Sequence, residues 1–142
     1  MKIQLLVAIS MITPGLLCAQ SPRKDVQKLL DEQTAAWNRG DLLGFMGGYD
    51  DSPELTFFSG DTVAKGWQAT LERYRHKYQA EGKQMGQLSF TDTQIDILSN
   101  DAAVYTARWH LAFSNGQKLE GLTTVICKRT GSGWKIVHDH SS

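Results

Sequence analysis

The segment GWKIVHDHSS at residues 133–142 gathers the side chains best suited to chemistry, two histidines flanking an aspartate. Read as a strand, its alternation sends Trp134, Ile136, His138 and His140 to one face and Lys135, Val137, Asp139 and Ser141 to the other. Asp139 then lies across the sheet from both histidines, which argues against a His–Asp dyad. His138 and His140 share a face, and a third ligand such as His110 would complete a three-histidine site of zinc type. Backbone hydrogen bonds or a subunit contact would use the same pair equally well; no acidic partner is pinned beside it, and no metal is expected. Arg108 and His110 alternate with Ala107 and Trp109, so two polar side chains share one face of a central strand, at a subunit interface or a polar cavity floor. Cys127 sits in the apolar run TTVICK and reads as a small buried hydrophobe rather than a nucleophile.

The elements that must position these residues follow from caps and periodicity. Ser21-Pro22 reads as a helix N-cap with proline at the first position, followed by Val26, Leu29, Leu30, Gln33 and Trp37 at helical spacing up to Gly40. Asp41 caps a second short helix, DLLGFM, that ends in Gly47-Gly48. LTFF and a segment around Thr62 and Val63 form a hairpin across Ser59-Gly60-Asp61. A third helix begins near Gly66, with Trp67, Leu71, Tyr74 and Tyr78 on one face, and ends at Gly82. Four long strands follow, roughly 85–98, 102–113, 117–128 and 134–141, joined by turns too short for anything but antiparallel neighbours. The fold class is α+β in the order ααββαββββ, a curved sheet wrapped with helices into a cone. Trp67, Tyr74 and Tyr78, with Trp37, Phe57, Phe58 and Tyr105, could wall that cone as a ligand site or be plain core.

The chain has 142 residues, with 15 basic and 15 acidic side chains. Lys2, the apolar run Ile3 to Leu17, and Pro14-Gly15 before Ala19 have the layout of a secretory signal, with cleavage expected after Ala19. A lipid anchor on Cys18 is the lesser alternative, since Leu17 before it is bulky. The expected domains are a signal peptide at 1–19 and a single domain at 20–142, periplasmic or secreted. Loss of Lys2 leaves 14 basic against 15 acidic residues, a net charge of minus one. Such a balance offers no electrostatic footprint for nucleic acid or an anionic membrane. One remaining cysteine permits no intramolecular disulfide, so the fold rests on its apolar core.

Three segments, AAWNRGDLLGFMGGYDD, KGWQATLERYR and GWKIVHDHSS, resemble in order and spacing the nuclear transport factor 2-like superfamily and, within it, the SnoaL-like group. The last segment is also similar to the association domain of calcium/calmodulin-dependent protein kinase type two. That likeness implies that Val137, Asp139 and Ser141 face the cavity, with Trp109 and Thr124 at the matching upstream positions. The kinase domain lines its cavity with three arginines; none of these positions is arginine here. Ketosteroid isomerase-like relatives suggest instead that Asp139 acts as a general base whose pKa rises in an apolar cavity.

No nucleophile elbow, phosphate loop, dinucleotide fingerprint or zinc-spaced cysteine set occurs, and no cofactor is expected. Three roles stay open. The domain could bind a small organic molecule in its cone, with Trp67, Tyr74, Tyr78, Trp109 and Thr124 against the ligand. It could be a cofactor-free acid–base enzyme using Asp139 or a histidine. It could be an assembly module. A homodimer is expected under all three, through a sheet face carrying Trp134, Ile136 and Val125.

Overall fold

A computed structural model describes residues 21–142, so the expected signal peptide, its cleavage site and the Cys18 alternative lie outside the described residues. Helix α1 spans Pro22–Asn38, with Ser21 as an extended N-cap and Pro22 at the first position. Its buried stripe is Val26, Leu30, Gln33, Ala36 and Trp37. Gly40, at φ 77°, carries the left-handed turn that ends the helix. Asp41 accepts a hydrogen bond from the Gly44 amide at 2.8 Å and so starts α2, Leu42–Met46.

Strands β1 (Thr56–Ser59) and β2 (Thr62–Lys65) pair as the expected hairpin. Helix α3 covers Trp67–Tyr74 and runs on through one wider π turn over Arg75–Gln79. Strands β3 (Gln87–Ser99), β4 (Ala102–Ala112), β5 (Lys118–Thr130) and β6 (Gly133–Ser141) complete the order ααββαββββ. Six strands form one sheet in the order β2-β1-β6-β5-β4-β3, with β1 parallel to β6 and every other pair antiparallel. No helix among the described residues is long and apolar enough to cross a membrane.

Three register slips bend the sheet around the helices, one of them between Ile97 and Ser99 at the end of β3. In β3 the register slips between Thr91 and Gln94, where Asp92 takes the left-handed conformation at φ 52°. In β6, Cys127 pairs with Ile136 and Ile126 with His138, so Val137 is an extra residue without a partner. This bulge overturns the simple alternation expected of the last strand. Trp134 and Ile136, at 7% and 1% exposure, point inward on its early side, and Asp139 points inward on its late side. Val137 therefore does not share a face with Asp139, nor do His138 and His140 share one with Trp134 and Ile136. Val125, at 4% exposure, is also internal, so the three apolar side chains expected to form a dimer face belong to the core instead. Cys127 is wholly buried, and burial pushes its thiol up to about 12, in keeping with a packing role.

Candidate functional site

A cavity of about 110 Å³ lies between the inner face of the sheet and the helices. Its walls are aromatic and supplied by every layer: Trp37 from α1, Phe45 from α2, Tyr74 and Tyr78 from α3 and its π turn, and Tyr105 and Trp109 from β4. Most of the ring pairs meet edge-on or tilted. Trp37 stands 4.9 Å from both Phe45 and Tyr78, centroid to centroid, while Tyr74 and Tyr78 stack at 6.0 Å.

The polar part of the lining is one connected network around Asp139. The Tyr49 hydroxyl donates to Asp139 Oδ2 at 2.7 Å, and Ser141 Oγ donates to Oδ1 at 2.7 Å. Thr123 Oγ1 stands 3.5 Å from the same Oδ1. Since Tyr49 spends its only proton on Asp139, the Tyr74 hydroxyl 3.2 Å away donates to Tyr49, giving a relay Tyr74–Tyr49–Asp139. Tyr49 reaches this place because its segment docks beside β6: Ile136 N donates to Gly48 O at 2.9 Å and Asp50 N to Ile136 O at 2.8 Å. A β-carbon at Gly48 would stand 2.7 Å from the Gln33 side chain and displace it.

Burial pushes the Asp139 carboxyl above its ordinary 3.8, and the hydrogen bonds from Tyr49 and Ser141 hold it back. The same burial, reinforced by the negative field of Asp139, raises the Tyr49 and Tyr74 phenols well above 10.0. At neutral pH both tyrosines are therefore donors. At the open side, Arg73 and Lys77 complete the lining.

Asp139, Tyr74, Tyr78 and Trp109 line one cavity, whereas Trp67 and Thr124 do not. Trp67 shares the azimuth of Tyr74, but seven residues of helix displace it about 10 Å along the axis. There its indole donates to Met46 O at 2.9 Å and borders a surface depression with Pro53 and Gly66. Thr124 is exposed and pairs with Thr106 and His140 on the outer face; the inward position is that of Thr123. Phe58 is likewise external, its ring 5.0 Å from His138 and 6.0 Å from His140.

The other polar candidates all lie on the outer face. His138 Nδ1 shares a hydrogen bond with Thr56 Oγ1 at 2.6 Å. His110 bonds Thr91 Oγ1 at 2.8 Å and stands 3.2 Å from Glu120, which Arg108 also approaches at 3.7 Å. Arg108 and His110 are accordingly not a cavity floor. His110 is on β4 and separated from the histidines of β6 by β5, and no group of metal-binding side chains forms among the described residues.

Phe45, Tyr49, Thr123, Arg73 and Lys77 are site residues that sequence reasoning misses. Tyr49 lies outside helix and strand, so no periodicity marks it. Arg73 and Lys77 fall on the polar side of a helical pattern and enter the lining only at its edge.

A family model described as SnoaL-like domain matches residues 26–142. Among solved structures, an NTF-2 like protein of unknown function from Shewanella oneidensis MR-1 is 36% identical, covering 85% of this chain and 98% of its own, at a TM-score of 0.78. A calcium/calmodulin-dependent protein kinase II association domain-like protein from Xanthomonas campestris is 19% identical over 95% of this chain and 96% of its own, TM-score 0.64. A ketosteroid isomerase-like protein from Erwinia carotovora atroseptica SCRI1043 is 15% identical over 84% and 93%, TM-score 0.65. The last two are similar in fold alone. No curated protein matches the chain.

Proposed function

Starting from the fact that the chain belongs to the SnoaL-like domain family, we propose that its cone is a receptor for one small organic molecule. The observation that carries this reading is the cavity itself: a largely aromatic lining and a hydrogen-bonded polar network around Asp139. Apolar surroundings with a few converging polar groups are the usual make-up of a small-molecule site. A cavity of about 110 Å³ suits a compact ligand, since an apolar cavity of about 150 Å³ accepts benzene. Affinity would come from desolvating the ring walls, and orientation from Tyr74 and the Asp139 network.

Acid–base catalysis by Asp139 is the second reading, favoured by its burial beside the cavity and its raised pKa. It ranks lower because both carboxylate oxygens already accept protein hydrogen bonds, which weakens them as bases. That arrangement suits Asp139 to hold the tyrosines in place. Two further proposals stand beside the cavity. The domain works after export, so the mature chain begins at Gln20. It also works as a homodimer through the outer sheet face, where Leu122 is 54% exposed and Ile126 and Phe58 are half-buried; sedimentation tests the assembly.

The binding reading is tested by screening single-ring compounds against the mature protein by ligand-observed NMR. The wild type is expected to bind at least one of them. Val125→Phe, which projects a ring into the cavity, is expected to abolish that binding, and Tyr74→Phe to weaken it by removing one hydroxyl. A screen without hits, or hits that survive Val125→Phe, overturns the receptor reading.

A further inference from the structure

The charge of the lining narrows the class of ligand, on the premise that the cavity is a binding site. Among the described residues, only Arg73, Lys77 and Asp139 are charged in it. Asp139 is accounted for within the protein by Tyr49, Ser141 and Thr123. The two cations are not. They sit four residues apart on α3 and its π turn, and neither has a carboxylate within 4.0 Å among the described residues, whereas neighbouring Arg75 pairs with Glu72 at 2.7 Å.

Both cations lean toward the cavity. The Arg73 guanidinium stands 5.5 Å from the ring centroid of Phe57, and the Lys77 ammonium 5.3 Å from that of Tyr78, both rings being cavity walls. The shallow depression beside them is bordered by Arg73, His76, Lys77 and Lys83, without an acidic residue. Like charges one helical turn apart are unfavourable when nothing neutralises them. Consistently, burial and the field of Arg73 lower the Lys77 pKa. A further donor, Trp109 Nε1 in the cavity wall, is buried without a hydrogen-bond partner among the described residues. The spare polar capacity around this cavity is thus of the kind that seeks an acceptor, and its uncompensated charge is positive.

We infer that the ligand is a compact organic carboxylate, its ring or branched body among the aromatic walls and its carboxylate held at the mouth by Arg73 and Lys77. A planar guanidinium offers the two parallel donors that a carboxylate accepts, and the ammonium adds a point charge. A cationic amine of the same size would meet repulsion at the mouth and find Asp139 already engaged.

The test compares 4-fluorobenzoate with 4-fluorobenzyl alcohol by fluorine-detected NMR titration of the mature protein. The benzoate is expected to bind at least about ten-fold more tightly at low salt, with the gap narrowing at high ionic strength. Arg73→Gln and Lys77→Gln should each weaken the benzoate by about three- to ten-fold and leave the alcohol unchanged; both side chains reach solvent, so the fold tolerates their loss. Alcohol binding as tight as that of benzoate overturns the carboxylate assignment and leaves the receptor reading standing. Benzoate binding that survives Val125→Phe assigns the anion to the surface depression and overturns the proposal. Failure of both probes to bind overturns the proposal together with the reading on which it rests.

Discussion

The two faces of strands β4 to β6 carry polar groups of similar chemistry under opposite conditions. On the inner face, Asp139 holds two donors at 2.7 Å, and its residue is 5% exposed. On the outer face, Glu120 faces Arg108 at 3.7 Å and His110 at 3.2 Å, with a side chain 62% exposed. The outer partners stand largely in water, whereas the inner network is mostly buried. The inner groups therefore define one geometry, while the outer ones contribute solvation and weak attraction. A ligand site needs the first condition, which is why candidates of equal promise in sequence separate by face.

The largest effect that should divide the faces is a pair of truncations on neighbouring strands. Ile136→Ala opens a hole beneath a side chain 1% exposed and is expected to cost about 2–5 kcal/mol in urea unfolding. Ile126→Ala, half-buried on the outer face, should cost less than half as much. Equal losses would break the distinction between a packed interior and a solvated exterior, and would show that something covers the outer face.

A smaller effect concerns pH. The folded-state pKa of Asp139 lies above its ordinary 3.8, so the folded protein holds the proton more strongly than the unfolded chain. The resulting stability is fully present below that ordinary value and is lost as pH rises through the raised one. Asp139→Asn keeps the shape and removes the titration. Denaturant titrations between about pH 3 and 8 should show that this substitution removes a decline of stability with rising pH. An unaltered pH profile would mean that the carboxylate is as well solvated as an outer one.

How far these faces could be read in advance depended on whether the signals were local. Helix ends were legible because their causes sit within four residues: Pro22 after Ser21, the left-handed Gly40, and Asp41 capping Gly44. Alternation placed Tyr105, Ala107 and Trp109 together on β4 for the same reason. It failed on β6, where Val137 is unpaired; the slip depends on how β6 meets β5, and nothing in WKIVHD marks it. Asp139 lies in the cavity, where the kinase-domain likeness put it, but Trp134 and Ile136 reached the core beside it rather than the opposite face. Tyr49 was invisible for another reason. Its partner is 90 residues away, and its backbone is held by β6 rather than by any element of its own. The Asp139 carboxylate and the Tyr74 wall could be foreseen; Tyr49, which joins the two, could not.

The smallest expected effect bears on whether the outer face stays wet. Glu120→Gln removes the common acceptor of Arg108 and His110 on a side chain already 62% exposed. For an isolated chain, the loss should be within about 0.5 kcal/mol and vanish in high salt, since screened surface pairs contribute little. The same strand carries Leu122, 54% exposed and two residues away on the same face, within the surface proposed to meet a second copy. If a partner covers Glu120, its charge is removed from water, and loss of that charge leaves Arg108 with Asp92 alone, 3.8 Å away, to compensate it at an interface. The cost should then grow well beyond the isolated-chain value and depend on protein concentration, as stability linked to association must. Unfolding of wild type and Glu120→Gln across a hundred-fold concentration range separates the cases. Concentration-independent curves that nearly superimpose would show an outer face solvated in the working protein and remove the homodimer from this surface.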